Sequence, residues 1–337
     1  MKKLQMSLIS ASNERIAPLL DGTVQVEGVE LIWTNSGPSE TFWRQLKFAE
    51  FEIFEMSFSS LLIAKVQGND MVAIPVFPSR RFMHAQLYVH EDSGAKTASD
   101  LAGKRIGVRE YQQTASLWTR GVLEHDFGVS QYSIEWYMER SEELSHGGAT
   151  GFKPPEGIKF RRIPQDKSMA LMLLNNEIDA APISRDYNRG KSVIDRSTRI
   201  GVLEGDWSKV KPLFPDFIGE GKRFFDKHGY IPANHCYAIR GDVYQKYPWL
   251  AFNLFSAFTE AKECWYQQLS GRVPSDLIFG PQYLAQTRSM FGNDPFPYGV
   301  KENRDMILTM IDFSFEQKLT PRKLTMEEIF APSTLDL

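Results

Sequence analysis

Residues 104–115 have the sequence KRIGVREYQQTA, in which a short β-strand ends in polar residues and leads into an α-helix. The helix is expected over residues 114–124, because Ala115, Trp118 and Val122 fall near one face at helical spacing. The first backbone N–H groups of a helix have no partner within it, so they point at whatever lies above the strand end. The stretch therefore predicts an α/β fold with an anion-binding position at this edge.

Short strands and helices alternate on both sides of this stretch. The residues before it form an opening α/β unit of about ninety residues, judged by usual element lengths, and a second unit begins here. Residues 228–240 are expected to be a linker that enters a returning strand, and residues 138–155, rich in Gly and Pro, are expected to be a loop. Strands are predicted over residues 4–9, 28–33, 71–77, 85–89 and 178–183, and helices over residues 167–176, over residues 301–317 and from Pro248 onward.

The length and composition of the chain set limits on its function. Its 337 residues and 38.6 kDa predict two domains. Hydrophobic residues make up 42% and charged residues 24%, which is typical of a folded globular protein and not of a disordered chain. The net charge is -3 and no long basic block occurs, so no nucleic-acid partner is expected.

Cysteine usage and apolar stretches predict the compartment. Cys236 and Cys264 are the only cysteines, too few for a disulfide framework and without the paired spacing of a zinc site. Polar residues after the basic start of the chain interrupt any apolar core of a secretory signal. The apolar stretches 71–77 and 249–258 are shorter than the roughly 18 residues that a membrane span needs. A cytoplasmic protein with no membrane partner is expected.

Four motifs carry a resemblance to a known family: PVFPSRRFMH at residues 75–84, GVREYQQTA at 107–115, GYIPANH at 229–235 and DPFPYGV at 294–300. With these motifs in this order, the chain resembles the 4,5-dihydroxyphthalate decarboxylase family, whose enzymes have the two-lobed fold of type 2 periplasmic binding proteins. The loop at 138–155 matches the family less clearly.

The resemblance implies an α/β fold of two lobes, each a mixed sheet flanked by helices. One lobe would contain residues 1–90 and 235–337, the other residues 91–234, with the ligand in the cleft between them. The implied reaction is decarboxylation of a hydroxylated aromatic carboxylic acid such as 4,5-dihydroxyphthalate, to protocatechuate and CO2. Such a reaction needs a proton delivered to the ring carbon that bears the leaving carboxylate, a base near a phenol and cations for a retained carboxylate.

Three residues are the catalytic candidates. His84 and His235 are candidates for proton transfer, because histidine titrates near neutral pH and both lie in family-matching motifs at the predicted crossings. The alternative for both is a histidine that is hydrogen-bonded inside a hinge. Glu110 could orient a histidine or hold a phenol. The other histidines are expected on the surface or in loops: His90, His125, His146 and His228.

Three arginines are candidates for holding the substrate's carboxylates through paired hydrogen bonds. Arg80 and Arg81 follow one predicted strand, and Arg185 follows another in the second lobe. The alternatives are solvated cations for the first two and, for Arg185, a surface salt bridge with Asp186.

Polar residues near strand ends and the helix start complete the expected substrate site. Thr114 and the adjacent N–H groups would bind anionic oxygens; the alternative for Thr114 is a helix cap only. Tyr111 would stack on the ring or hydrogen-bond to it, and Gln112 lies between these two residues. Further polar contacts, which loop solvation explains nearly as well, are expected from the ends of early strands: Asn13, Ser57 and Ser59.

No sequence motif points to a bound cofactor. His-Glu-x-x-His, phosphate-loop and dinucleotide-binding patterns are absent from the sequence, so no cofactor is predicted. Whether scattered His and Glu side chains assemble a divalent metal site stays open, and so does self-association into a homo-oligomer. The expected partner is a small aromatic carboxylate as substrate.

Two other functions compete with the decarboxylase. One is a solute-binding receptor for a small aromatic anion, which would use the same cleft without chemistry. The expected absence of an export signal argues against it, because such receptors act outside the cytoplasm. The other is a cleft enzyme with different chemistry, since a fold does not determine a reaction.

Overall fold

A computed structural model describes residues 3–183, 192, 194–198, 205–273 and 277–337. Its strands are β1 (Leu4–Ser10), β2 (Val29–Asn35), β3 (Ile53–Ser57), β4 (Val72–Ile74), β5 (Leu87–His90), β6 (Arg105–Val108), β7 (Glu135–Met138), β8 (Lys159–Arg162), β9 (Ala180–Pro182), β10 (Val210–Pro212) and β11 (His235–Ile239). Its α-helices are α1 (Ala17–Leu20), α2 (Pro38–Phe48), α3 (Phe58–Val66), α4 (Thr114–Phe127), α5 (His146–Thr150), α6 (Met169–Leu174), α7 (Phe217–His228), α8 (Gly241–Lys246), α9 (Leu250–Arg272), α10 (Gly280–Phe291), α11 (Arg304–Glu316) and α12 (Met326–Ile329).

The first sheet has the strand order β2-β1-β3-β11-β4 within the described residues. Strand β1 runs parallel to β2 and β3, and β11 runs antiparallel to β3 and β4. All five residues of β3 are buried, as expected for a strand in the middle of a covered sheet. His235, the first residue of β11, is opposite Ser57, the last residue of β3, so both lie at one edge of the sheet.

The second sheet has the order β10-β5-β9-β6-β7-β8 in the described part of the chain. Strands β6, β7 and β8 are parallel to one another, and β6 is parallel to β9. Strand β5 is antiparallel to both β9 and β10. Both sheets are therefore mixed, and α4 begins shortly after the end of β6, as the sequence predicts.

The chain crosses between the sheets after β4 and again after β10. The two crossings are hydrogen-bonded to each other: the Arg81 N–H donates to Pro232 O at 3.1 Å, and the Asn234 N–H donates to Ser79 O at 2.8 Å. Because β5 pairs within the second sheet, the first crossing precedes Leu87 and does not follow residue 90, where the expected lobe limit lies.

A continuous buried apolar cluster includes side chains from both sheets and from the helices between them. Helix α11, near the end of the chain, packs on α4, where the ring of Phe313 occupies the space next to Gly121 that a larger side chain would need. Trp118 of α4 also contacts Phe313, with ring centroids 5.5 Å apart. The two halves of the molecule are therefore in close contact along the face that bears the start of α4.

Candidate active site

Hydroxyl groups join the end of β3 to the start of α4. Ser57 Oγ and Thr114 Oγ1 are 2.9 Å apart, and the Thr114 N–H donates to Ser57 Oγ at 3.3 Å. The Ser59 N–H donates to Thr114 Oγ1 at 3.0 Å, and Ser60 Oγ donates to Ser57 Oγ at 3.2 Å. All four residues are buried. The structure thus brings together three of the expected substrate-binding residues, Ser57, Ser59 and Thr114, between the two sheets.

His146 extends this group of hydroxyls toward the second sheet. Its Nδ1 is 2.9 Å from Ser60 Oγ, and Arg140 Nη1 lies 3.0 Å from its Nε2. Because a guanidinium can only donate, Nε2 accepts and Nδ1 carries the hydrogen. Burial, together with the charge of Arg140, lowers the pKa of His146 well below its ordinary value, so the ring is neutral.

The position of His146 corrects the sequence-based expectation. The stretch 138–155 is not only a loop, since it contains α5, and this helix begins at His146 with the side chain in the interior. Ser145 caps the helix by accepting a hydrogen bond from the Gly148 N–H at 2.7 Å. This cap in a glycine-rich segment explains why composition alone predicts a loop here.

Arg140 forms a buried ion pair with Asp195. Its Nε donates to Oδ1 at 2.7 Å and its Nη2 to Oδ2 at 3.1 Å. Ser39 of α2 joins the pair, accepting from Arg140 Nη2 and donating to Asp195 Oδ2, both at 2.7 Å. Burial alone would raise the pKa of Asp195, but Arg140 holds it well below its usual range. Both partners are therefore charged, and they tie the second-sheet half of the chain to α2.

His235 is held by a carboxylate at the edge of the first sheet. Its Nδ1 is 2.6 Å from Glu55 Oε1, and the other oxygen of Glu55 accepts from the Ala11 N–H at 3.1 Å. The ring of Phe42 is edge-on to both His235 and His146, with ring centroids 4.7 Å and 5.7 Å away, respectively. Glu55 therefore orients the His235 ring, and Nε2 is directed away from that carboxylate.

Glu110 lies in the turn between β6 and α4 and is 1% exposed. Its Oε2 accepts a hydrogen bond from the His146 N–H at 3.0 Å. Burial raises the pKa of Glu110, although the charge of Arg140 and the His146 amide oppose the shift. This carboxyl group therefore keeps its proton to a higher pH than an exposed glutamate.

Three buried polar atoms around the start of α4 lack hydrogen-bond partners among the described residues: Ser59 Oγ, Gln112 Nε2 and Arg109 Nε. Gln112 is completely buried, and its Oε1 accepts from Thr150 Oγ1 at 3.4 Å. Buried polar groups are seldom left unpaired in native proteins, so these atoms mark the places where a bound ligand could supply acceptors. Arg109 itself was not among the sequence-based candidates.

His84 lies outside this group, in the first crossing. Its Nε2 is 2.6 Å from Glu220 Oε1, whereas its Nδ1 is buried without a hydrogen-bond partner in the described structure. The rings of Phe214 and Phe224 lie 5.6 and 5.5 Å from the imidazole. Burial lowers the pKa of His84 even though Glu220 favours the charged form. This geometry fits the alternative reading, a histidine hydrogen-bonded inside a hinge.

Arg80 is also used within the crossings. Its guanidinium donates to Ile231 O and to Pro297 O, both at 2.8 Å, and to the side chain of Asn303. Burial lowers its pKa to about 10. The donors that were expected to hold a substrate carboxylate therefore bind the second crossing and the start of α11. Arg81 Nη2 donates to Ser79 Oγ at 3.3 Å within the same segment.

The remaining expected site residues have other surroundings. The Tyr111 hydroxyl donates to Gln131 Oε1 at 3.0 Å, and its ring lies under the guanidinium of Arg120, 3.9 Å from the centroid, in the interior of the second half. Asn13 follows β1 and lines a surface depression, with its Oδ1 buried and unpaired among the described residues. Arg185 lies outside the described residues.

The other histidines divide between interior and surface. His125 is exposed and His228 is partly buried, where it contacts Asp126. His90 is only 3% exposed at the end of β5, which corrects its expected position on the surface or in a loop. Its Nδ1 accepts from the Asp92 N–H at 3.2 Å, so it caps the following turn.

Several residues that surround the hydroxyls of Ser57 and Thr114 and the ring of His235 were not predicted from the sequence: Ser39, Phe42, Glu55, Ser60, Arg140, His146 and Asp195. Glu55 could have been predicted from the sequence, because alternation along β3 places it on the same face as Ser57. Asp195 could not have been predicted, because it is 55 residues from Arg140 in sequence and no local pattern links the two.

Neither a metal-binding group of side chains nor a membrane-spanning helix occurs among the described residues. No group of three or more His, Cys, Asp or Glu side chains is arranged there to hold a metal ion. None of the described helices has both the length and the apolar character required to cross a bilayer.

Solved structures identify the fold. The alkanesulfonate-binding protein from Xanthomonas axonopodis pv. citri, solved with bound MOPS, superposes with a TM-score of 0.54 at 14% identity and covers 97% of this chain and 98% of its own. The periplasmic aliphatic sulphonate binding protein from Escherichia coli gives a TM-score of 0.52 at 15% identity, over 97% and 91% of the two chains. At these identities the likeness concerns the fold alone, and it confirms the expected periplasmic-binding-protein architecture.

Sequence relatives identify the family, although no model of a known protein family matches the chain. The 4,5-dihydroxyphthalate decarboxylase of Pseudomonas putida is 38% identical over 181 residues, which cover 53% of this chain and 70% of that protein. The 4,5-dihydroxyphthalate decarboxylase of Comamonas testosteroni is 32% identical over 339 residues, which cover 100% of this chain and 99% of that protein. The resemblance carried by the four motifs is thereby confirmed, and the chain belongs to the 4,5-dihydroxyphthalate decarboxylase family.

Proposed function

We propose that this protein is a carboxy-lyase that converts 4,5-dihydroxyphthalate to protocatechuate and CO2. The observation that carries the proposal is the similarity to the Comamonas testosteroni 4,5-dihydroxyphthalate decarboxylase along the entire chain. The groups gathered between the two sheets supply the required chemistry, because they combine a carboxylate-bound imidazole, a buried protonatable carboxyl group and unpaired donors.

His235 is proposed as the base for a ring hydroxyl. With Nδ1 held against Glu55, its Nε2 is the nitrogen that can take a proton from a hydroxyl para to the leaving carboxylate. The resulting oxyanion pushes electron density into the ring, toward the carbon that bears that carboxylate. Glu55 acts through His235, since it fixes the orientation of the ring.

Glu110 is proposed as the acid that delivers a proton to this ring carbon. Burial raises its pKa, so a proton is available nearer to neutral pH than on an ordinary glutamate. After the carbon is protonated, the C–C bond to the carboxylate breaks and CO2 leaves. The electrons of that bond restore the aromatic ring, and the hydroxyl recovers its proton from His235. Glu110, left as a carboxylate, takes up the one proton that each turnover consumes from solvent before the next substrate reacts.

The substrate ring is proposed to lie against Phe42, with its retained carboxylate at the start of α4. Phe42 supplies an apolar surface beside His146 and His235. Donors for anionic oxygens come from Gln112 Nε2, which is unpaired among the described residues, and from the first-turn N–H groups other than those of Thr114 and Leu117, which are already paired. The expected contacts of Ser59 and Thr114 with substrate belong to this same proposal, whereas the Ser57 hydroxyl, also expected to contact substrate, is hydrogen-bonded to Ser60 and Thr114 instead.

A cytoplasmic location is proposed from the state of the thiols. Cys236 and Cys264 are both free, and Cys236 is buried. Burial raises the pKa of the Cys236 thiol, which keeps it protonated and unreactive. Two unpaired thiols suit a reducing compartment.

The test is to incubate the purified protein with 4,5-dihydroxyphthalate and a panel of hydroxylated benzoates, with and without a metal chelator, following CO2 and ring products. Catalytic CO2 release from 4,5-dihydroxyphthalate is expected, and its sensitivity to the chelator answers the open question of a metal. If a compound raises the thermal stability of the protein but is never consumed, the receptor function replaces the decarboxylase.

A further inference from the structure

The hydrogen bonds that run from Arg140 to Thr114 have only one possible direction. Arg140 cannot accept, so His146 Nε2 must accept from it, and the single ring hydrogen of the neutral imidazole is on Nδ1. Nδ1 must then donate to Ser60 Oγ, which is 2.9 Å away. Ser60 in turn uses its own hydrogen to donate to Ser57 Oγ at 3.2 Å.

The hydrogen bond between Ser57 and Thr114 also has a fixed direction. Ser57 Oγ accepts from Ser60 Oγ and from the Thr114 N–H, which occupies both of its lone pairs. Its hydrogen is therefore donated to Thr114 Oγ1 at 2.9 Å. Thr114 Oγ1 also accepts from the Ser59 N–H at 3.0 Å, so both of its lone pairs are occupied as well. The hydroxyl hydrogen of Thr114 is left over, and none of the hydrogen bonds among the described residues uses it.

We propose that Thr114 is a specificity-determining residue whose hydroxyl is fixed as a donor for the carboxylate that the substrate retains. Arg140, His146, Ser60 and Ser57 are positioning residues that impose this direction. The inference rests on the proposed function for the identity of the substrate, but the donor itself follows from the hydrogen-bond geometry.

The surroundings of Thr114 independently indicate a ligand with acceptor oxygens. Gln112 Nε2 and Ser59 Oγ are completely buried and unpaired among the described residues; Gln112 is two residues before Thr114, and the Ser59 N–H donates to Thr114 Oγ1. Helix α4 has 14 residues, and its first turn adds a partial positive charge and donors other than the N–H groups of Thr114 and Leu117, which are already paired. An oxygen placed here would satisfy several donors at once.

Three variants test the donor, using isothermal titration calorimetry with two probes, 3,4-dihydroxybenzoate and benzene-1,2-diol. The first probe has the retained carboxylate and the second lacks it. Thr114→Val keeps the shape of the side chain and removes the hydroxyl, and we expect affinity for 3,4-dihydroxybenzoate to fall about tenfold to a hundredfold, as for loss of a hydrogen bond to a charged group. Affinity for benzene-1,2-diol should be unchanged.

Two controls separate this effect from a folding defect. Thr114→Ser retains the donor and should recover most of the affinity. Thr119→Val removes a hydroxyl from the same helix, where Thr119 Oγ1 donates only to Ala115 O among the described residues, and should bind both probes as the wild type does. Equal loss of both probes in Thr114→Val, or no loss of either, would overturn the proposal.

Ser60→Ala tests the fixed direction. It leaves Thr114 in place but frees Ser57 and Thr114 to reverse their hydrogen bond, so affinity for 3,4-dihydroxybenzoate should fall by a smaller factor, about threefold. The KM for 4,5-dihydroxyphthalate should rise in parallel while kcat changes little. An unchanged affinity in Ser60→Ala contradicts the imposed direction. If the wild type binds 3,4-dihydroxybenzoate through Thr114 but releases no CO2 from 4,5-dihydroxyphthalate, the proposed function is wrong while the proposed donor is still supported.

Discussion

His84 and His235 are two buried histidines that each place an imidazole nitrogen 2.6 Å from a glutamate, yet their surroundings differ. The other nitrogen of His84 is buried without a partner among phenylalanine rings in the crossing region. His235 lies at a sheet edge, beside the hydroxyls at the start of α4 and the ring of Phe42. A histidine–carboxylate pair therefore does not by itself indicate proton transfer, because the environment of the second nitrogen decides whether a substrate can use it.

The largest expected difference between the two regions is in turnover. His235→Asn should lower kcat for 4,5-dihydroxyphthalate by about a hundredfold to ten-thousandfold, the usual contribution of an acid–base group. His84→Asn should leave kcat within about threefold of the wild type, since His84 acts only in packing and hydrogen bonding within the crossings. Steady-state CO2 release by the three proteins measures both effects. Comparable losses of kcat in the two variants would contradict the different roles assigned to His235 and His84.

The second difference concerns charge, since the Arg140–Asp195 ion pair is buried whereas the surface ion pairs are solvated. Asp195→Asn leaves the charge of Arg140 buried without its counter-ion, and we expect the free energy of unfolding to fall by about 3–5 kcal/mol. Asp226→Asn breaks an exposed pair with Lys222 and should change it by less than about 1 kcal/mol. Urea denaturation of both variants gives the comparison, and equal changes would show that Arg140 finds another partner.

A smaller effect should appear in the pH dependence of stability. Burial lowers the pKa of both His84 and His146 in the folded protein, whereas the unfolded values lie near 6.5. Between those limits the unfolded chain binds protons that the folded chain does not. Stability should therefore fall as pH decreases below about 6.5, by up to about 1.4 kcal/mol per pH unit for each histidine.

His84→Gln isolates one of these contributions. The variant should lose stability less steeply than the wild type between pH 6.5 and 5, in denaturation experiments at each pH. Burial raises the pKa of Glu110, which acts with the opposite sign but equally in both proteins, so it cancels in the difference. Parallel curves for the two proteins would mean that His84 does not resist protonation.

The fold could be predicted from the sequence because its signals are local. The strand and helix around residues 104–115 appear as expected. The four motifs predicted the family, and similarity along the entire chain to a member of that family confirms the prediction. The first lobe limit was misplaced, because periodicity locates β5 but does not reveal that it pairs with β9 and β10. Strand pairing depends on residues far apart in the chain.

The candidate site was only partly predictable. Ser57, Thr114 and Glu110 could be named because they lie at strand ends and at a helix start, positions that face a cleft in this architecture. The carbonyl partners of Arg80 could not be predicted, because a guanidinium near a strand end is equally suited to bind a carboxylate and carbonyl oxygens of another segment. His146 was missed because its buried position involves a contact with Arg140, which Asp195 holds in turn, and no local pattern encodes these contacts.

The most direct test of the account is turnover of 4,5-dihydroxyphthalate by the wild-type protein in deuterium oxide, with CO2 and the ring product analysed by mass spectrometry and NMR. We predict one CO2 for each substrate consumed, and 3,4-dihydroxybenzoate with one deuterium on the ring carbon next to the retained carboxylate. Recovery of intact substrate from a protein that binds it and is stabilised by it would contradict the account.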